Sequence, residues 1–147
     1  MVNEREIVAL IAEGIGLARQ GEYGKALKIF DKDPCCTLNP VALSYYALCL
    51  AMEEGRREKA ISLCVLAAEK ESIEAEIYLN LGRILLISGR KTQAIRAFRK
   101  GLKLDGGSGD ILIELDKLGI RKKPLLTFLP RASALNRLIG ILVHRRS

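Results

Sequence analysis

Tryptophan is missing from this 147-residue chain, and phenylalanine and tyrosine together supply only seven side chains. A core must therefore be assembled from aliphatic residues, which suits packed helices rich in Leu, Ile and Ala. Histidine occurs once, as His144 among arginines near the C-terminus. With its only histidine among arginines, and with Glu53, Glu54 and Glu58 reading as solvated acids at the turn around Gly55, the chain offers no convergent acid–base pair. The four cysteines contain no CxxC spacing, so with one histidine no tetrahedral zinc set can be written. Cys35 and Cys36 are adjacent in an expected loop after Pro34, while Cys49 and Cys64 fall at core-like positions, and all four read as free thiols. No lysine-bearing phosphate loop is present, because Gly106-Gly107-Ser108-Gly109 follows a helical pattern and lacks the lysine. No apolar run approaches the ~18 residues that would cross a bilayer. Glu4 and Glu6 lie where a leader peptide would be positively charged, so a cytoplasmic protein is expected. Together these absences point to a non-catalytic chain with no cofactor and no metal.

The clearest pattern that is present runs from Ala75 to Ser108. Leu79, Gly82, Leu85 and Leu86 recur at helical spacing, and after Gly89 so do Ala94, Ile95, Phe98 and Leu102. Two amphipathic helices meet at the glycine, forming a helical hairpin. The pattern returns on a shift of 34 residues: Gly21, Gly55 and Gly89 are in register, as are Ala26, Ala60 and Ala94, and Leu27, Ile61 and Ile95. Gly14 and Gly82 correspond, with Leu48 between them, and Phe30 and Phe98 correspond, with Cys64 between them.

A 34-residue helix-turn-helix period with Leu81-Gly82, Tyr78, Ala94 and Phe98 resembles the tetratricopeptide repeat family. The resemblance implies an all-α, right-handed superhelical solenoid. The expected division is a repeat domain over residues 1–118, with repeats at about 7–40, 41–74 and 75–108 and a capping helix at 110–118, followed by a basic apolar tail over 119–147. Taken in order, the expected helices run from Glu4 to Arg19, Tyr23 to Lys32, Val41 to Glu54, Arg57 to Lys70, Ile73 to Ser88 and Lys91 to Leu104. Asn3 with Glu6 makes a capping box for the first, Pro40 opens the third, and Asp110 caps the last. Pro34 should stop the second helix early.

The tail departs from a plain repeat protein. Residues 1–118 carry as many acids as bases, whereas residues 119–147 carry seven bases and no acid, so the net charge of +7 belongs to the tail. Leu135, Leu138, Ile139 and Leu142 share one helical face, predicting an amphipathic helix over about 133–144 with Arg137 off the stripe. Three uses compete. Phe128, Leu135, Leu138 and Leu142 can dock on the chain's own solenoid, pair with another protein or another copy, or lie on an anionic surface. Nucleic acid and membrane are disfavoured, nucleic acid specifically because no stacking aromatics are interleaved with the basic residues.

The resemblance also places a concave groove on the first helix of each repeat. Its implied wall includes Ile11, Ile15 and Arg19, then Tyr45, Cys49 and Met52, then Glu76, Leu79, Arg83 and Leu86. One subclass of the family grips acidic C-termini with lysine, asparagine and arginine. Here Ile11, Ile15, Tyr46, Glu76 and Asn80 occupy those positions, so that clamp is not expected. The expected function is a protein–protein interaction scaffold whose groove takes an apolar helical or extended segment, from a partner or from its own tail. The alternative is a peripheral adaptor held by the basic C-terminal helix on an anionic membrane surface or nucleic acid.

Overall fold

A computed structural model describes residues 2–120, and the elements in this range are helical. Seven α-helices follow in order: α1 (Glu4–Arg19), α2 (Tyr23–Phe30), α3 (Pro40–Glu54), α4 (Arg57–Lys70), α5 (Ala75–Ile87), α6 (Lys91–Leu104) and α7 (Gly109–Lys117). The described residues up to Glu114 form one compact unit. The expected helix at 133–144 lies outside the described residues, as do Phe128, Leu135, Arg137, Leu138 and Leu142.

Local chemistry accounts for the helix ends. The Asn3 side chain accepts a hydrogen bond from the Glu6 backbone at 2.9 Å, and the Glu6 carboxylate accepts from the Asn3 backbone at 3.0 Å. Two of the four unpaired amides of α1 are thereby satisfied. Asn39 accepts from the Ala42 amide at 3.0 Å, and Pro40 occupies the first position of α3, where a missing N–H costs nothing. Gly21, Gly55 and Gly89 take left-handed φ values of 80°, 67° and 77° at the turn inside each hairpin. That conformation is costly for a residue with a Cβ, which explains glycine at this repeat position.

Several ends differ from expectation: α3 starts one residue early at Pro40 and α5 runs Ala75–Ile87, not Ile73 to Ser88, and α2 and α7 differ as well. Helix α2 stops at Phe30, two residues early, and the chain then forms a short 3-10 turn at Pro34–Leu38 where a loop was expected. Asp33 initiates it by accepting from the Cys35 amide at 2.7 Å, with Pro34 pre-set at the first position. The turn carries Cys36 fully into the core and leaves Cys35 exposed. Helix α7 begins at Gly109, with the Ser108 carbonyl accepting from the Leu112 amide, so Asp110 sits in the first turn and not at the cap.

Each hairpin packs on itself, α1 on α2, α3 on α4 and α5 on α6. First helices pack on first helices, α1 on α3 and α3 on α5, while α2 and α4 each lean on the next first helix. This gives a solenoid with an inner layer of α1, α3 and α5. Close approach within the first and third hairpins is set by a glycine under a phenylalanine ring. A Cβ on Gly14 would lie 2.6 Å from Phe30 Cε1, and one on Gly82 would lie 2.3 Å from Phe98 Cε1. In the middle hairpin the two sizes are exchanged: Leu48 stands where the glycine would be and Cys64 where the ring would be, both buried in one cluster. The Cys64 thiol reaches the next repeat, donating to the Ile77 carbonyl at 3.5 Å. Ile111 of α7 covers Gly101 of α6 so closely that a Cβ there would meet it at 2.5 Å. It thereby closes the apolar end of the third hairpin.

Candidate functional site

The inner layer brings the expected groove residues onto α1, α3 and α5. Ile11 and Ile15 are half-buried and pack against the cluster around Phe30 and Tyr45. Tyr45, Cys49 and Leu79 are closed off from solvent at 1%, 0% and 3% exposure, so these three offer no open surface to a partner in this structure. Met52 of α3 is 43% exposed, Val8 of α1 is 61% exposed, and Leu86 is half-buried.

Three of the residues join into one polar line that spans the repeats. Arg19 of α1 donates through Nε to the Tyr45 hydroxyl of α3 at 3.1 Å, and its guanidinium carbon lies 5.6 Å from the Tyr45 ring centroid. The same guanidinium donates through Nη2 to Glu76 of α5, 57 residues away in sequence. The Tyr45 hydrogen bond, followed by that to Glu76, stabilises the charged form and raises the already high Arg19 pKa. Burial raises the Tyr45 pKa, opposed by the Arg19 donor. Further along α5, Arg83 Nε donates to Glu114 at 2.9 Å, with the carboxylate side chain only 12% exposed. Arg19 and Arg83 of the inner face are thus each answered by a carboxylate of this same chain.

A polar pair lies beneath this face. Asn80 of α5 donates to the Ser44 hydroxyl of α3 at 3.0 Å, and Ser44 donates to the Val41 carbonyl at 2.7 Å. Both side chains are fully buried, and the Asn80 carbonyl oxygen has no hydrogen-bond partner among the described residues. Tyr46 packs edge-on against Phe30 with centroids 6.2 Å apart. Ile11, Ile15 and Tyr46 are half-buried, Glu76 presents a carboxylate, and Asn80 is a buried amide.

The thiols are held in their protonated form. Burial pushes Cys49 and Cys64 up to about 12, and the Asp33 carboxylate raises Cys35. Each is then a thiol at neutral pH, which is the unreactive form. Among the described residues, no three His, Cys, Asp or Glu side chains are grouped to hold a metal ion. No helix among them is long and apolar enough to cross a membrane.

Glu114 as the partner of Arg83 was not legible beforehand, because α7 lies outside the repeat and its rotation has no register to copy. The Ser44–Asn80 bond was equally hidden. A serine and an asparagine 36 residues apart carry no periodic signal, and only the packing of α3 on α5 joins them.

Residues 75–108 match the family model for the tetratricopeptide repeat. Among solved structures, the first such domain of the human RPAP3 protein superposes with a TM-score of 0.63 at 21% identity, covering 77% of this chain and 89% of that one. The first repeat domain of Spaghetti (RPAP3), bound to the HSP90 peptide SRMEEVD, gives 0.60 at 22% identity over 80% and 94% of the two chains. The Sgt2 domain from Aspergillus fumigatus gives 0.59 at 22% identity over 90% and 93%. No curated protein matches by sequence. Residues 75–108 thus fit one tetratricopeptide repeat, and the chain shares the helical-repeat fold of these domains.

Proposed function

We propose that the protein is a non-catalytic protein–protein interaction module whose inner face, on α1, α3 and α5, takes an apolar helical or extended segment. The observation that carries this reading is the internal pairing of charge on that face. Arg19 is held by Tyr45 and Glu76, and Arg83 by Glu114, while Val8 and Met52 face solvent and Ile11, Ile15 and Leu86 are half-exposed. A partner gains most there by covering apolar surface, at ~25 cal/mol per Å². A fold neighbour binds an acidic peptide, SRMEEVD. Here Glu76 stands where a basic side chain would be needed to hold such a carboxylate, so an uncharged apolar ligand is the better match.

The test is isothermal titration of the full chain with two synthetic peptides, one amphipathic with a leucine stripe and one acidic at its C-terminus. Binding of the first, weakened by Met52→Glu, supports the reading. Binding of only the acidic peptide refutes it. The same titration on a chain carrying Leu138→Asp and Leu142→Asp identifies the natural occupant. Tighter peptide binding in that variant means the chain's own tail competes for the face, and unchanged binding means the occupant is another protein.

A second reading rests on the charge asymmetry, with seven bases and no acid in residues 119–147. In it the tail holds the module against an anionic membrane or nucleic acid. Co-sedimentation with phosphatidylserine vesicles, or with an RNA oligonucleotide, that falls on Arg131→Ala and Arg137→Ala and with added salt supports it. No sedimentation at low salt excludes it.

A further inference from the structure

We propose that the outer side of the solenoid carries a second docking surface, in the groove between α4 and α6, which takes an apolar segment of another protein edged with carboxylates. It is independent of the inner face. The groove is an open depression of about 390 Å³ floored by Val65, Tyr78, Leu81, Leu85 and Ala97. Val65 is 40% exposed, so apolar surface at its mouth is left to water. This volume is at the lower end for a site that takes several apolar side chains.

Charge decides which segment fits. Helix α6 carries Lys91, Arg96, Arg99, Lys100 and Lys103 and contains no acid. Arg96 and Lys100 line the groove itself. Lys100 holds its ammonium over the Tyr78 ring, 4.9 Å from the centroid, and so stays at the rim. Among the described residues none of Arg96, Arg99, Lys100 and Lys103 is in an ion pair. The inner face differs, because its arginines are matched by acids of the same chain. A row of unmatched cations along one edge of an apolar floor is complementary to carboxylates along one edge of an amphipathic helix. The opposite edge bears Glu69, which directs the ligand's acids to the α6 side and leaves a neutral or basic flank towards α4.

The same charges exclude other occupants. The chain's own residues 119–147, basic and free of acids, would set cations against cations. A nucleic acid backbone would use the cations and leave the apolar floor unserved, with no gain from Val65 or Leu81.

Amide NMR on the isotope-labelled full chain tests the proposal. The probe is a synthetic helical peptide with leucines at i, i+3, i+4 and i+7 and glutamates along one flank, and the counter-probe has lysines in place of the glutamates. Shifts concentrated at Val65, Leu81, Arg96 and Ala97 with the glutamate peptide, diminished by salt and absent with the lysine peptide, are expected. Arg96→Glu combined with Lys100→Glu should weaken the glutamate peptide about tenfold and admit the lysine peptide. These side chains are exposed, so the variant should keep the wild-type melting temperature, and Val65→Lys provides a separate test of the floor. Equal shifts from both peptides would overturn the proposal, as would shifts at the inner face alone or an RNA oligonucleotide that displaces the glutamate peptide from Arg96.

Discussion

Replacing Leu48 with glycine and Cys64 with phenylalanine would install in the middle hairpin the contact found in its two neighbours. In those neighbours the ring lies where a Cβ would be, 2.6 Å away at Gly14 and 2.3 Å at Gly82. Leu48 and Cys64 are 2% and 0% exposed, so neither can relax into solvent. Cys64→Phe alone forces a ring against the Leu48 side chain, an overpacking cost of ~1–3 kcal/mol. Leu48→Gly alone opens a cavity and adds a helix penalty, together ~3–6 kcal/mol. In the double variant the ring fills the space the leucine vacates. The loss of the Cys64 thiol bond to Ile77 occurs in both phenylalanine variants and cancels from the comparison. The expected coupling is at least ~2 kcal/mol in favour of the pair, within the range for residues in contact. Urea unfolding followed by far-ultraviolet circular dichroism on the four proteins measures it. Additivity within ~0.5 kcal/mol would show that the two positions do not share one space, and the size-exchange argument would fail.

Other outcomes are expected. Cys49 and Cys64 bind protons more tightly folded than unfolded, with pKa values near 12 against an ordinary 9.0. Their contribution to stability is therefore complete below pH 9 and falls as pH rises from there towards 12, so urea midpoints should drop over that interval and drop less in Cys64→Ala. Gly55→Ala, at φ 67°, should cost ~1–2 kcal/mol. Gly16→Ala, inside α1 with nothing within 4 Å of a new Cβ, should stabilise by ~0.5–1 kcal/mol, and thermal melts separate the two signs. The Arg19–Glu76 pair is partly exposed, so Glu76→Gln should cost under ~1 kcal/mol in low salt and less in 1 M salt. A larger cost that persists in high salt would mean that the pair holds the repeats by geometry and not by charge.

Periodicity alone carried the helical hairpins, because it reports which side of each helix is apolar and where glycine breaks the path. The left-handed turns at Gly21, Gly55 and Gly89 and the capping box at Asn3 are local events, settled within about six residues. The ends of α2 and α7 were less legible, since Asp33 and Ser108 compete with the helix through turns that propensity does not rank. The groove list mixed two kinds of position. Met52 faces solvent, whereas Cys49 and Leu79 do not, and helical spacing cannot tell them apart because exposure depends on what lies over them.

What the chain by itself determined is therefore the repeat: its 34-residue period, its small-against-large crossings, and the exchange of sizes at Leu48 and Cys64. These are pairings within one hairpin, close in sequence. What only the tertiary structure decided is where charge ends up. Arg19 meets Glu76 across 57 residues, Arg83 meets Glu114 of a helix outside the repeat, and the cations of α6 meet none of the described acids. Coulomb attraction depends on distance in space, and that distance is set only once the hairpins have stacked.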